Sequence, residues 1–339
     1  MYRDTFIDRL CGMRVLALSV SVAAGLFAQS GADTVTAHRA AAIAAAGMDH
    51  KGVVAAACPP ETPPTPRPAP VPGAGRAAAA TPRPDPPREQ WYAEPVKVFF
   101  NLYFVGTKVH GAWAVTTSEG IIVVDALYGY AVKDEVDGGL RKLGLDPKTI
   151  KYVVITHGHG DHSGGAKYLQ DTFSPHLILG AKDWDLLARD TRNPAPRRDM
   201  EATDGEKLTL GDTTITLYIT PGHTGSTISV LIPVKDNGKP HLAMEWGGTA
   251  ISPATPVEML KSYIASAARF QDVAVGAGAD VIITNHTAFD NALVKLAAEK
   301  NRKPGDPNPY VIGKDSVSRY LTVAEECGKA NLAAAEGRP

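Results

Sequence analysis

The sequence has little cysteine, no long apolar run and almost no net charge. Its 339 residues include only 3 cysteines, none of them in a CxxC pattern, which excludes a disulfide-rich scaffold. Lysine and arginine number 35 against 36 aspartates and glutamates, for a net charge of −1. This balance supplies no broad positive field, so nucleic acid is not an expected partner.

The composition that is present is typical of a globular protein. Hydrophobic residues make up 44% of the chain and charged residues 21%, close to the globular averages of about 45–50% and about 25%. A length of 339 residues is sufficient for one large domain or two small ones with a sizeable buried core.

The N-terminal segment has the order of a secretory signal peptide. Arg9 and Arg14 precede an apolar run, residues 15–27, and small residues follow at 30–32. A run of about 13 residues is shorter than the roughly 20 that span a bilayer, which argues against a membrane anchor. We therefore expect removal of residues 1–32 and a periplasmic or secreted mature protein with no membrane contact.

Export leaves two alternatives open for the remaining cysteines, Cys58 and Cys327. In an oxidising compartment they form a bond that ties the N-terminal segment to the C-terminal helix, or they stay as two unpaired thiols.

The rest of the chain divides into three parts. Residues 33–58 are an alanine-rich helical segment, and residues 59–90 are a linker whose roughly dozen prolines favour extended polyproline II structure. Residues 91–339 form the folded domain, with two β-rich blocks that are each followed by helices. That order predicts an α/β fold, an αβ/βα four-layer sandwich with two packed sheets and helices on the outer faces.

One turn of the domain concentrates metal-ligating side chains. Directly after a β-type run, residues 152–156, four of them occur within six positions: His157, His159, Asp161 and His162. Imidazole and carboxylate groups suit zinc, and the intervening glycines let the turn fold back on itself. Because four ligands exceed the three that an open catalytic site takes from the protein, we expect two metal ions.

Two further histidines come just past strand ends. His223 follows the β-type residues 213–220, and His286 follows residues 281–284. With the four side chains of the turn they complete the six ligands that two metal sites need.

The HxHxDH pattern of residues 157–162 resembles the signature of the metallo-β-lactamase superfamily, and the resemblance extends over residues 91–335. It implies a zinc-dependent hydrolase with two Zn²⁺ ions. His157, His159 and His223 would bind the first ion, and Asp161, His162 and His286 the second. In the implied mechanism Asp161 is catalytic and orients a di-zinc-bound hydroxide. Asp125 matches an acidic residue that supports the metals from beneath.

Within the superfamily the sequence most resembles the subclass B3 metallo-β-lactamases. Glyoxalase-like relatives place a bridging aspartate where this chain has residues 246–249, which contain no carboxylate. Subclass B3 has a hydroxyl residue there, matched by Thr249, although Ile251 replaces a second serine. This resemblance implies β-lactam ring hydrolysis and antibiotic resistance. Thr249, Thr224 and His110 are candidate substrate contacts.

Two other interpretations stay open, since a fold and its metals do not name a substrate. One is a related metallo-hydrolase of the same fold that acts on a lactone or another ester. The other is a non-catalytic zinc-binding module displayed through the proline-rich arm. In both enzyme interpretations the partner is a small-molecule substrate, a cyclic amide or an ester.

Overall fold

The structure, a computed structural model, describes residues 31–60, 84–191 and 194–337. Residues 1–30 of the predicted signal peptide and residues 61–83 of the predicted linker lie outside the described residues. Within the described ranges, each helix is too short or too polar to cross a membrane.

The first sheet has seven strands in chain order. They are Val96–Lys97 (β1), Leu102–Phe104 (β2), Trp113–Thr117 (β3), Gly120–Val124 (β4), Ile150–Val154 (β5), His176–Leu179 (β6) and Met200–Glu201 (β7). Strands β1 to β4 form an antiparallel meander, and β4 to β7 are parallel.

The second sheet has five strands in the order β12-β11-β10-β9-β8. They are Glu206–Leu210 (β8), Thr213–Ile219 (β9), Ile228–Asp236 (β10), Lys239–Glu245 (β11) and Val281–Ile283 (β12). Strands β8 to β11 are antiparallel, and β12 runs parallel to β11.

Helices cover the outer face of each sheet. Those on the first sheet include Gly138–Lys142 (α4), Ala166–Phe173 (α6) and Ala181–Arg189 (α7). Those on the second are Gly31–Ala46 (α1), Lys51–Ala57 (α2), Val257–Ala277 (α8) and Lys314–Glu336 (α10). Shorter helices are Arg88–Trp91 (α3), Gly160–Ser163 (α5) and Ala292–Lys300 (α9).

The alternation of side chains along the strands explains this layering. In β4, Ile122 and Val124 belong to the core between the sheets, whereas Ile121 and Val123 pack against the helices. Successive side chains of a strand point to opposite faces, so an apolar run with both faces buried requires a layer on each side. The predicted four-layer sandwich is confirmed.

The N-terminal helices dock on the folded domain. Ala42 and Val53 are fully buried in the cluster that also contains Tyr320 of α10. Cys58 and Cys327 form a disulfide across 269 positions of sequence. Of the two alternatives for these cysteines, the structure has the bonded one.

The disulfide should contribute measurably to stability, because it closes a long loop in the unfolded chain. We expect the double substitution Cys58→Ala/Cys327→Ala to lower the free energy of unfolding by about 2–4 kcal/mol. Urea denaturation followed by tryptophan fluorescence measures this difference. Reductant should destabilise the parent protein and leave the double variant unchanged; equal sensitivity of both proteins would contradict the assignment.

Candidate metal centre

The chemically important side chains lie where strands of both sheets end. Asp125 follows β4, and the turn that starts at His157 follows the parallel neighbour β5. His286 follows β12 in the second sheet, and Trp113 of the first sheet donates to the carbonyl of Thr284 at 3.0 Å. Since the carboxyl ends of parallel strands meet at one edge of a sheet, residues distant in sequence converge there.

Three histidines form the first group of donors. Nε2 of His223 lies 3.1 Å from Nε2 of His157 and 3.1 Å from Nδ1 of His159. Atoms bound at about 2.0–2.1 Å to the corners of one tetrahedral zinc ion lie about 3.3 Å apart. Both separations from His223 therefore suit a single ion, and the ligand atoms of all three histidines lie within 4.8 Å of one another.

The other three predicted ligands form a second group. Oδ2 of Asp161 lies 3.2 Å from Nε2 of His162 and 3.4 Å from Nε2 of His286. The two imidazole nitrogens are 3.2 Å apart. The structure thus brings all six predicted ligands together, in the two sets that the resemblance implied.

Hydrogen bonds orient three of the rings. Nδ1 of His157 donates to the carbonyl of Gly247 at 3.0 Å, and Nδ1 of His223 donates to that of Ala250 at 2.5 Å. Nδ1 of His162 bonds the buried Asp125 carboxylate at 2.7 Å. With Nδ1 occupied, Nε2 is the atom each ring directs into the centre, an arrangement typical of metal-bound histidine.

The electrostatics of the first group fit a cation. Burial, together with the neighbouring imidazoles, lowers the pKa of His157 well below its ordinary value and that of His223 to about 4. Both rings are then neutral at pH 7. Because their Nδ1 atoms carry the protons, two lone pairs face each other across 3.1 Å. A positive ion between them converts that repulsion into coordination.

The second group holds charge of both signs. Burial opposes ionisation of Asp161, but hydrogen bonds from His162 and His286 hold the pKa of this carboxyl well below its ordinary range. Burial also opposes a charge on His162, yet Asp125 and Asp161 raise its pKa to about 10. Two carboxylates therefore favour a positive charge at this position, which a metal ion supplies when it displaces the proton.

Asp125 supports the second group as the resemblance implied. Its Oδ1 accepts from the backbone N–H of Thr156 at 2.7 Å, and its Oδ2 accepts from the Thr156 hydroxyl at 2.9 Å. The residue is fully buried and has a φ of 63°, a left-handed conformation uncommon outside glycine.

Two glycines make the turn around His223 possible. Gly222 has a φ of 142°, and a Cβ there would lie 2.4 Å from Cα of Tyr263. A Cβ on Gly248 would lie 2.5 Å from Cβ of His223. The backbone can pass beneath the histidine only where side chains are absent.

Asp183 is a buried acidic residue that sequence reasoning missed. Its Oδ1 accepts from the backbone N–H of Gly158 at 2.9 Å. Its Oδ2 accepts from the Thr224 hydroxyl at 3.0 Å and from the backbone N–H and hydroxyl of Ser226 at 2.8 and 2.7 Å. One carboxylate thus joins the turn of His157 to the turn of His223. An acidic residue in the first turn of a helix after a strand was the only signal.

A groove of 410 Å³ opens beside His159 and His223. Lys182 and Arg189 of α7 lie on one side of it, seven positions apart and therefore on one face of the helix. The exposed carboxylate of Asp185 between them pairs with Arg198 at 2.8 Å. The groove therefore presents a positive wall next to the first group of donors.

The three predicted substrate contacts have different surroundings. Thr249 is 2% exposed and its hydroxyl faces the Tyr320 hydroxyl at 3.3 Å, so it offers no free surface to substrate. Thr224 lines the groove, but its hydroxyl bonds Asp183. His110 lies at the second group, with Nε2 3.7 Å from Oδ2 of Asp161. Two of the contacts thus serve the scaffold, because their hydroxyls are already bonded.

Comparison with known proteins agrees with this geometry. Residues 105–237 match the profile of the metallo-beta-lactamase superfamily. The chain is similar to the crystal structure of BJP-1, a subclass B3 metallo-beta-lactamase of Bradyrhizobium japonicum. The TM-score is 0.61 and the identity 26%, over 70% of this chain and 94% of that one. The resemblance inferred from the HxHxDH pattern is therefore confirmed.

Curated relatives carry more than one description. A hydroxyacylglutathione hydrolase of Acidiphilium cryptum is 26% identical over 237 residues, 67% of this chain and 91% of that protein. The lactamase-like protein vrtG of Penicillium aethiopicum is 33% identical over 84 residues, 25% of this chain. The chain spans only 24% of the length of vrtG.

The link through Asp183 should be required for a well-formed centre. We expect Asp183→Asn to weaken zinc binding about 10–100-fold, the usual effect of losing a group that orients ligands. The free energy of unfolding should fall by about 1–3 kcal/mol, because an amide cannot accept all of these bonds. Chelator competition and urea denaturation give the two quantities. Asp185→Asn on the same helix is the matched control, and equal zinc affinity of both variants would refute the link.

Proposed function

Since this chain has the metallo-beta-lactamase fold and is similar to a subclass B3 enzyme, we propose that it is a di-zinc hydrolase that opens β-lactam rings. The superfamily consists of metal-dependent hydrolases. Two groups of side chains are placed to bind metal, His157 with His159 and His223, and Asp161 and His286 with His110. One observation carries the proposal. Six imidazole and carboxylate side chains lie in two groups, with donor atoms 3.1 to 3.4 Å from their neighbours, and the 246–249 segment beside the first group contains no carboxylate.

The residue types of the 246–249 segment distinguish the two enzyme interpretations. The carbonyl of Gly247 accepts from His157, and Gly248 packs against His223, so the segment borders the first group directly. Its hydroxyl residue, Thr249, turns towards Tyr320. Glyoxalase-like enzymes are expected to have a bridging aspartate here, whereas the subclass B3 pattern is expected to have a hydroxyl residue.

In the proposed reaction, different residues would bind the metal ions, orient their ligands and attract the substrate. When bound, a zinc pair lowers the pKa of a water molecule towards about 7 and polarises a carbonyl group. His157, His159 and His223 would hold the first ion next to the groove. Asp125 keeps Nε2 of His162 directed at the second. Lys182 and Arg189 attract an anionic substrate, and a β-lactam antibiotic carries a carboxylate.

A lactone or other ester is the second candidate substrate. It is favoured by the similarity to the hydroxyacylglutathione hydrolase of Acidiphilium cryptum, which extends over 91% of that protein. The same donors and groove would accept an ester carbonyl, because hydrolysis of amides and esters places the same demands on the metal centre.

Export to the periplasm or the cell exterior is part of the proposal. The Cys58–Cys327 disulfide supports it, since structural disulfides persist in oxidising compartments. A periplasmic hydrolase would also meet penicillins before they reach their targets.

Removing one donor of the first group should abolish activity. We expect His159→Ala to lower kcat/KM by more than about 100-fold, since losing only a group that orients a ligand already costs 10–100-fold. Chelator treatment of the parent protein should have a similar effect that added zinc reverses. His176→Ala, on an exposed ring far from the centre, is the control. Full turnover by the His159 variant would rule out this centre as the catalyst.

A substrate panel decides between the two enzyme interpretations. The zinc-loaded protein is assayed with a penicillin, a carbapenem, a chromogenic cephalosporin and an acyl lactone. We expect the highest kcat/KM on the β-lactams. A clear preference for the lactone would contradict β-lactam hydrolysis and support ester hydrolysis. Zinc binding without any turnover would support a non-catalytic zinc-binding module.

A further inference from the structure

Asn285 is a buried amide that contacts the supports of both groups of donors. It follows β12 and directly precedes His286, with 1% of its surface exposed. Its Nδ2 donates to the carbonyl of Gly247 at 2.8 Å and to the hydroxyl of Thr156 at 3.2 Å. Gly247 follows β11 in the same sheet, whereas Thr156 follows β5 in the other sheet. One side chain thus joins the ends of three strands across the two sheets.

The first of these hydrogen bonds leads to the first group of donors. The carbonyl of Gly247 accepts from Nδ1 of His157 at 3.0 Å as well as from Asn285. A carbonyl oxygen has two lone pairs, so it can accept from both donors at once. Asn285 therefore holds in place the acceptor that sets the direction of the His157 ring.

The second hydrogen bond leads to the second group. The Thr156 hydroxyl accepts from Asn285 and donates its one proton to Oδ2 of Asp125 at 2.9 Å. The same Oδ2 accepts from Nδ1 of His162 at 2.7 Å. Two side chains, those of Thr156 and Asp125, thus connect the amide to the His162 ring.

The acceptors permit only one orientation of the Asn285 amide. A carbonyl oxygen has no proton to donate, so the atom that faces Gly247 must be the amide nitrogen. Oδ1 of Asn285 is buried and finds no partner within the described part of the chain. A buried acceptor without a donor costs free energy. The amide is therefore suited to this position by its two N–H groups, and its oxygen contributes nothing.

We propose that Asn285 is a positioning residue shared by the two metal sites. The inference rests on the two-ion site of the proposed function. The rings of His157 and His162, one from each group, have centroids only 4.2 Å apart. Because one nitrogen donates to the supports of both rings, it fixes the two groups of donors relative to each other. Removal of its N–H groups weakens metal binding at both sites together.

Zinc binding tests the inference without any assay of turnover. Metal-free parent protein and Asn285→Leu, which has a side chain of similar size and no donor, are titrated with zinc in competition with a chromophoric chelator. We expect two equivalents in the parent. In the variant both should bind about 10–100-fold more weakly, the usual effect of losing groups that orient ligands. Titration with cobalt provides a second readout, because the absorption bands of both bound ions should change.

Two single-site proteins assign the loss of affinity to each group. His159→Ala lacks a donor of the first group, and Asp161→Ala lacks a donor of the second. We expect Asn285→Leu to weaken binding of the remaining ion in each of these proteins. A loss of affinity in only one of them would contradict the shared role.

Asn331→Leu is the matched control. Asn331 is also fully buried, its Nδ2 donates to the carbonyls of Ala57 and Cys327, and its Oδ1 finds no partner in the described ranges. The same substitution there should lower the urea midpoint by a similar amount and leave both zinc affinities as in the parent. Asn285→Ala, which adds no bulky apolar group, covers the case in which Asn285→Leu does not fold, and should show the same joint loss. Circular dichroism checks the fold of each protein.

Failure of this inference is distinguishable from failure of the proposed function. Undiminished binding of both equivalents by the folded Asn285 variants would overturn the inference and leave the hydrolase proposal intact, and so would an equal loss in Asn331→Leu. A joint loss confined to the Asn285 variants, in a protein that hydrolyses nothing on the substrate panel, would support the positioning role and contradict the hydrolase. Absence of zinc binding by the parent would overturn both.

Discussion

The facing lone pairs of His157 and His223 are the constraint on which this centre depends. Their Nε2 atoms lie 3.1 Å apart, and each neutral ring donates its one N–H to a backbone carbonyl through Nδ1. Without a cation this contact is repulsive, so the surrounding fold must hold the rings in place. Packing of two sheets and their connecting turns supplies that rigidity. Binding of a metal ion would add its own free energy to a site that is already formed, and would stabilise the folded state by linkage.

Buried carboxylates around the centre differ in how the fold satisfies them. Asp125 and Asp183 are fully buried, and each accepts several hydrogen bonds. Glu245, at the end of β11, is also fully buried, but its two oxygens find no partner in the described part of the chain. Burial and the charge of Asp125 raise the pKa of Glu245 well above its ordinary value, so the Glu245 carboxyl stays neutral. Of these three buried carboxyl groups, the two that accept hydrogen bonds can remain charged, and the one without a partner is neutral.

A feature of the site could be predicted from the sequence when the residues that form it lie close together in the chain. The turn of His157 and His162 is contained in six positions, so spacing and residue type were sufficient to identify it. His223 and His286 could be placed because each follows a strand end, and such ends gather at a sheet edge. Asp183 could not be found, since its partners lie 25 to 43 positions away and a single acidic residue in a helix has no distinguishing pattern. The direction of Thr249 depends on Tyr320, 71 positions away.

The N-terminal segment is connected to the centre through a short series of contacts. His50 packs edge-on against Tyr320 at 5.3 Å and bonds the carbonyl of Ser316 at 3.0 Å. The Tyr320 hydroxyl faces Thr249, whose carbonyl also accepts from Tyr263 at 2.8 Å. Thr249 directly follows the glycine that packs under His223. The helices that precede the linker, held by the disulfide, therefore buttress α10 and the segment beneath the first group of donors, just as Asp125 supports the second group from the other sheet.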